Sequence, residues 1–440
     1  MAKIKTYKII TFGCQMNERD SETIAGLLSE MGFRENPDRD SADILIINTC
    51  SVRENADNRF FGTLGQMKRV KNSRPDFIVG LCGCMMQQQH VVDAIKEKYP
   101  WVDIVFGTHN LHELPELITS VISEKRKRIE VIPCGEGIVE GLPSKRLHQF
   151  KAFVNIMYGC DNFCTYCIVP FTRGRERSRY PERILSEVRA LAADGVKEIT
   201  LLGQNVNSYK GADGAGFPEL IRRLNGIEGI ERIRFMTSHP KDLSDELIGA
   251  FSECGKLCRH IHLPVQSGSD SVLMRMNRNY TKADYMKLVG KLRESSPLIS
   301  ITTDIIVGFP GETDEDFEET LSLAREVEFD SAFTFLYSIR KGTPAERFGD
   351  QVPEGVKHER FNRLVGVLNG ISLKKNKAYE GRVEKILVEG QSKTDKKTYS
   401  GRTDTFKLVN FKSTEVHSGE SVDVRITGSG TFSLVGEADQ

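Results

Sequence analysis

The 440-residue chain contains no apolar run near the roughly 18–20 residues that a membrane helix needs. Its first residues, Met1-Ala-Lys-Ile-Lys-Thr-Tyr7, offer neither an apolar h-region nor a small-residue cleavage site. The sequence therefore predicts a cytoplasmic protein with no membrane association. An excess of either charge is also missing, since 61 Lys+Arg balance 61 Asp+Glu. A protein coated in basic surface is excluded, although a local basic patch is not. With 39% apolar and 28% charged residues, collagen, coiled coil and wholly disordered chains are excluded too. Ten cysteines are too few for a disulfide scaffold of this length. In a reducing cytosol they are more often metal ligands, catalysts or buried fillers.

At roughly 150 residues per domain, the length suggests about three domains. Residues 1–145 alternate strand and helix, with short apolar runs at 7–12, 43–47, 77–81 and 102–106 that read as buried parallel strands. A helix is expected over 21–31, with Ile24, Leu27, Leu28 and Met31 on one face and Gly32 as its stop. The pattern is that of an α/β, doubly wound parallel-sheet domain. The charge run at 125–128 reads as a solvated helix end or linker. Residues 146–375 carry six further strand-then-helix units, with strands at 152–158, 198–202, 232–237, 260–264, 301–307 and 332–337. Six units fit a partial parallel barrel, because a full eight-unit barrel usually takes about 250 residues. Residues 376–440 alternate at 382–388, 407–411 and 421–426 and predict a small antiparallel β-barrel. Its charge is polarised: nine Lys/Arg against five Asp/Glu over 377–412, then one against five over 413–440.

The strongest chemical signal is Cys160-Asp-Asn-Phe-Cys164-Thr-Tyr-Cys167, which follows a predicted strand through Gly159. Three thiolates within eight residues can wrap one soft metal centre. An all-cysteine iron–sulfur cube takes four ligands, so three would leave one iron open to a substrate or cofactor. A zinc site is the alternative, although zinc sites favour paired C-x2-C units. Cys14, Cys50 and Cys84 are dispersed, 36 and 34 residues apart, and each directly follows an apolar strand. Strand ends of an open parallel sheet lie along one edge. These three thiols would either converge there as a second centre or be independent strand-end cysteines. Cys82 is expected to face a core, and Cys134 lies in a loop. Cys254 and Cys258, beside His260 and His262, could form a zinc site or simply pack. Arg173, Arg175, Arg177 and Arg179 suit phosphate or carboxylate recognition, or ion pairs at a helix start. Further candidates stand at strand ends, in 201–207, 236–240, 262–268 and 303–312.

At these motifs the chain resembles the radical S-adenosylmethionine methylthiotransferases. The resemblance rests on Cys160-x3-Cys164-x2-Cys167 together with Cys14, Cys50 and Cys84, and it extends over the three-part layout. The C-terminal part is similar to an RNA-binding TRAM domain. Thr11-Phe-Gly-Cys-Gln-Met-Asn17, 48–56 and 158–174 resemble the members that modify isopentenylated adenosine in tRNA. Other members act on threonylcarbamoyladenosine in tRNA or on a ribosomal protein aspartate. The stretch Gly203-Gln204-Asn205 departs from the Gly-Gly-Glu-like segment of many radical enzymes of this kind.

The resemblance implies two 4Fe-4S clusters. One would be held by Cys160, Cys164 and Cys167 and would bind S-adenosylmethionine and cleave it to a 5′-deoxyadenosyl radical. The other would be held by Cys14, Cys50 and Cys84, and would carry the sulfur that a second S-adenosylmethionine methylates. Gln204, Ser238, Gln266, Ile306 and Gly308 are expected to line the cofactor pocket. Arg173, Arg175, Arg177, Arg179, Lys393, Lys396, Lys397 and Arg402 are expected to hold the tRNA anticodon stem-loop. An electron donor of flavodoxin or ferredoxin type, a sulfur supplier and a monomeric state complete the implied picture. A non-catalytic, metal-dependent RNA-binding protein is the alternative from another class. Metal analysis separates the readings: two cubes give about eight irons per chain, and about four would remove the second cluster.

Overall fold

In the computed structural model, residues 6–51, 54–133, 137–392, 395, 397–413 and 416–439 are described. They form two compact units. One gathers residues up to 147 with 157–161 and 167–177; the other gathers 148–156, 162–166 and 178 onward.

The first unit is built on a six-stranded parallel sheet. Its spatial order is Arg34–Glu35, Thr6–Phe12, Ile44–Thr49, Ile78–Cys82, Ile104–Phe106 and Arg128–Glu130. The central strands are buried on both faces, which explains their unbroken apolar runs. Two apolar clusters lie against them, one with Leu45, Phe60 and Leu81, the other with Ile24, Ile46 and Phe106. Strand order reverses between the first strand and its neighbour Ile44–Thr49, the arrangement of a doubly wound sheet.

One element departs from the sequence reading and another extends it. The helix expected over 21–31 spans Gln15–Glu30, starting immediately after Cys14. Its first turns bury Asn17, Asp20, Ser21 and Glu22, so no apolar period announces them. The charge run near residue 125 ends the helix Leu114–Glu124 at Lys125, whose φ is +52°. Lys125, Arg126 and Lys127 are exposed beyond that helix end, as a solvated helix end or linker would be, and the addition is that Arg128 opens the edge strand Arg128–Glu130.

The second unit carries the partial barrel as two three-stranded parallel sheets. One holds Lys151–Asn155, Glu198–Leu202 and Arg232–Phe235; the other holds His260–His262, Ser300–Val307 and Ser331–Leu336. A parallel bridge between Ile233 and Leu257 links them. Helices between the strands start on well-formed caps. Thr281 with Asp284, and Thr313 with Asp316, make capping boxes.

The helix Glu354–Lys377 leads into a closed five-stranded barrel. The strands Thr398–Arg402 and Leu434–Ala438 join the three expected from the alternation. Its core is Ile386, Val388, Val409, Phe411, Val424, Ile426 and Leu434. Pairing is antiparallel except between Leu408–Lys412 and Leu434–Ala438, which run parallel.

The small barrel docks at the amino-terminal ends of the partial-barrel strands through buried charge. The Arg232 guanidinium donates to the carbonyls of Arg402 (2.7 Å) and Lys385 (2.8 Å). Arg234 donates to the carbonyls of Thr403 (2.7 Å) and Asp404 (2.9 Å) and pairs with Glu198 at 2.9 Å. It also lies over the Phe406 ring, 5.1 Å from its centroid. Lys375 and Lys407 share the buried Asp330 carboxylate at 2.6 and 2.9 Å. The lysines hold that carboxyl below its usual range although burial opposes them. Replacing Arg234 by Met should cost about 3–5 kcal/mol, because Glu198 is left as an unpaired buried charge. Urea unfolding reads the loss, and replacing Glu198 by Gln in the same chain should recover part of it.

Candidate functional site

The sheet order puts Thr6–Phe12, Ile44–Thr49 and Ile78–Cys82 side by side, and Cys14, Cys50 and Cys84 lie just past their ends. Gly83 makes the last placement. Its φ is +100°, and a Cβ there would stand 2.2 Å from the Thr49 carbonyl oxygen, so only glycine fits. Cys82 therefore ends its strand in the apolar core, while Cys84 opens the turn Cys84–Gln87.

Around these thiols lies a buried polar girdle that the sequence reading missed. Asn17 donates to the Asn48 side-chain oxygen at 3.1 Å. Asn48 donates back to the Asn17 carbonyl and to the Ser21 hydroxyl, both at 2.9 Å. The Asn17 oxygen lies 3.3 Å from Cys14 Sγ. Arg173, 3% exposed, donates through Nε to Cys84 Sγ at 3.1 Å and through Nη2 to Asp20 at 2.6 Å. Cys14 is exposed, whereas Cys50 and Cys84 are buried. A hydrogen bond with Cys50 brings the Cys14 thiol down to about 6, and the Arg173 charge assists. Burial pushes Cys84 up, against the pull of Arg173.

The segment Cys160–Cys167 is shared: Cys160 and Cys167 belong to the first unit and Cys164 to the second. Gly159 (φ +80°) lets the chain pass the Arg175 carbonyl, which a Cβ would meet at 1.9 Å. The Cys160 N–H donates to the Gly174 carbonyl at 3.1 Å. In the second unit, Asn277 donates to the carbonyls of Asn162 and Phe163, each at 3.1 Å. Arg278 is buried, with Nη1 3.5 Å from Cys164 Sγ. Its other donors reach the Pro264 carbonyl at 2.7 Å and the Tyr280 hydroxyl at 2.8 Å. Nothing in the sequence pattern marked Arg278, since an arginine beyond a short helix reads as surface.

Gln204, Ser238, Gln266 and Gly308 follow strands of the second unit, and Ile306 lies within the strand Ser300–Val307. Ser238 Oγ is buried without a hydrogen-bond partner, as are Asn205 Oδ1 and His239 Nε2. Burial, helped by Arg278 and Lys241, pushes the His239 imidazole down to about 2, so it is neutral. Thr237 (φ +63°) and Gln266 (φ +68°) hold left-handed conformations that side chains rarely adopt. Orphaned polar atoms and strained backbone at strand ends suit a polar ligand. The Gly308 N–H donates to Glu312 at 3.0 Å, and Arg360 pairs with Glu312 at 2.8 Å.

The expected RNA contacts separate. Arg175 is exposed and pairs with Asp161 at 3.4 Å, and Lys397 is exposed. Arg173 is buried as described. Arg177 donates to the carbonyls of Arg173 and Gly137, each at 3.1 Å. Arg179 is buried against Glu187 at 2.7 Å. Arg402 lies 4.4 Å from the Phe406 ring centroid. Lys393, Lys396 and Cys134 lie outside the described residues.

Two sets of three thiols match the donor chemistry of cysteine-bound iron–sulfur cubes. Among the described residues, no three His, Cys, Asp or Glu side chains are spaced to share one metal ion. His260 and His262 each bond the Thr302 hydroxyl at 3.0 Å, and Cys254 and Cys258 are buried. For the metal-free protein, a Cys14 pKa of about 6 has a direct consequence. Iodoacetamide at pH 7 should alkylate Cys14 first, since a thiol of that pKa is about nine-tenths thiolate there. Its rate should climb through pH 6 and level off, while Cys82 and Cys84 stay slow. Peptide mass mapping checks the order.

Comparison with known proteins gives three family matches. Residues 154–324 match the radical SAM superfamily, 6–107 the uncharacterized protein family UPF0004, and 377–438 the TRAM domain. A tRNA-2-methylthio-N(6)-dimethylallyladenosine synthase of Clostridium botulinum (strain Hall) is 56% identical over 437 residues, 99% of this chain and 97% of that one. Its namesake from Clostridium tetani is 57% identical over 98% of this chain and 96% of its own. That of Caldicellulosiruptor saccharolyticus is 54% identical over 99% of this chain and 93% of its own. Among solved structures, the radical S-adenosylmethionine methyltransferase TsrM from Kitasatospora setae is similar in fold. The TM-score is 0.56 at 14% identity, covering 87% of this chain and 81% of that one. Identity at this level over nearly the whole length places the chain in the tRNA-2-methylthio-N(6)-dimethylallyladenosine synthase family of radical SAM enzymes.

Proposed function

We propose that this chain methylthiolates C2 of N6-isopentenyladenosine beside the anticodon of tRNA, consuming two S-adenosylmethionine per turnover. The C2 hydrogen of adenine is neither acidic nor a leaving group, so acid–base chemistry alone does not replace it. The observation that carries the reading is the placement of Cys14, Cys50 and Cys84 past three neighbouring strand ends, in a chain that also holds Cys160-x3-Cys164-x2-Cys167.

In this reading Cys160, Cys164 and Cys167 hold one 4Fe-4S cluster, and Cys14, Cys50 and Cys84 hold the other. When bound, the clusters and S-adenosylmethionine supply the radical cleavage that removes hydrogen and the sulfur that replaces it. The protein's share is positioning. Ser238, Asn205 and neutral His239 offer the cofactor's polar groups buried partners. Gln204, Gln266, Ile306 and Gly308 complete that pocket. Gly308, whose φ is +74°, brings backbone close where a side chain would collide with Lys357.

The functional regions are 1–145 for the sulfur-carrying cluster, 146–375 for the radical barrel and 376–440 for RNA. Arg175 and Lys397, both exposed, reach phosphates. Lys393 and Lys396 belong to the same basic stretch. The chain works as a cytoplasmic monomer, served by an electron donor of flavodoxin or ferredoxin type and by a sulfur supplier. No described helix is long and apolar enough to cross a membrane.

Nucleoside mass spectrometry tests this directly. Anaerobically reconstituted protein, a reductant, S-adenosylmethionine and isopentenylated tRNA should yield the methylthio nucleoside. Replacing Cys14, Cys50 and Cys84 together by Ala should abolish that product. Cleavage of S-adenosylmethionine with unchanged tRNA would move the substrate to threonylcarbamoyladenosine or a ribosomal protein aspartate.

A further inference from the structure

Arg173 lies six residues beyond Cys167, yet its guanidinium is spent on Cys84 and on Asp20 of the helix that Cys14 caps. The Arg173 and Asp20 side chains are 4% and 5% exposed. Burying such a pair is costly, and it seldom adds net stability. The geometry is specific to arginine. Nε and Nη2 of one planar fork reach a sulfur at 3.1 Å and a carboxylate at 2.6 Å, which a lysine's point charge does not reproduce. The backbone fixes the fork from both sides. The Arg173 N–H donates to the Val169 carbonyl at 2.8 Å, closing the turn Val169–Thr172. The Arg173 carbonyl accepts from Arg177 at 3.1 Å. Hydrogen bonds and net charge at a cluster's sulfurs help to set its potential.

We propose that Arg173 is a positioning residue that holds Cys84 as a ligand and raises the reduction potential of the sulfur-carrying cluster, with Asp20 orienting Arg173 and lowering that potential. This rests on the reading that Cys14, Cys50 and Cys84 hold a cluster. A cation donating to a cluster sulfur stabilises the reduced, more negative cluster. A neighbouring carboxylate does the opposite.

The opposite signs make the test. In the full chain with Cys160, Cys164 and Cys167 replaced by Ala, only this cluster remains. Iron content and an EPR-monitored reductive titration are compared for that parent and for R173Q, R173K and D20N added to it. The parent should hold about four irons. R173Q should move the midpoint to more negative potential, D20N to less negative potential, and R173K should fall between the parent and R173Q. If R173Q loses its iron, R173K and D20N decide by the same signs. Midpoints that stay put with iron retained, or that move in the same direction for R173Q and D20N, would overturn the assignment. Loss of iron from R173Q, R173K and D20N alike would reduce the pair to a structural part and overturn it too. A parent without iron would contradict the cluster reading beneath, not the arginine's part in it.

Discussion

A parallel sheet delivers the carboxyl ends of its strands to one edge, and the chemistry proposed for this chain depends on that. Cys14, Cys50 and Cys84 are far apart in sequence, yet each needs only a strand end to reach its neighbours. The same rule serves the second unit, where Ser238, Asn205 and His239 follow parallel strands and keep buried polar atoms without protein partners. Such atoms carry a desolvation penalty of roughly 1–3 kcal/mol each when nothing meets them.

Buried arginine is the second theme. Arg173 meets Cys84, Arg278 meets Cys164, and Arg232 with Arg234 meets the carbonyls of the small barrel. These guanidiniums face thiols, carboxylates and peptide oxygens, never only solvent. The two ends of the partial-barrel strands divide the labour. Charge at the amino-terminal ends fastens the C-terminal barrel, which leaves the carboxyl ends for chemistry.

Much of this was legible in the sequence. Apolar runs marked the central strands of the first unit because both faces of a parallel strand are buried, and the repeating strand-then-helix pattern marked the barrel strands. Spacing marked the two cysteine sets. The polar beginning of the helix Gln15–Glu30 stayed hidden, because its buried Asn17, Asp20 and Ser21 imitate a solvated turn. The arginines of 173–179 read either as phosphate or carboxylate ligands or as ion pairs at a helix start, and Arg173 and Arg179 are paired and buried against Asp20 and Glu187. Composition shows charge, but only three-dimensional pairing shows whether that charge faces inward. Arg278 was silent for the same reason. Of the small barrel's five strands, Thr398–Arg402 and Leu434–Ala438 were missed: both are short and contain glycine, at Gly401 and Gly436, where strands pass closely.

The central claim is that the two cysteine sets do separate jobs, hydrogen removal and sulfur delivery. The most direct test uses isopentenylated tRNA carrying deuterium at C2 of the target adenine, and protein in which Cys14, Cys50 and Cys84 are all replaced by Ala. With S-adenosylmethionine and a reductant, the account predicts deuterium in the 5′-deoxyadenosine released and no methylthio nucleoside. Methylthio nucleoside formed by that variant, or 5′-deoxyadenosine released without deuterium, would contradict it.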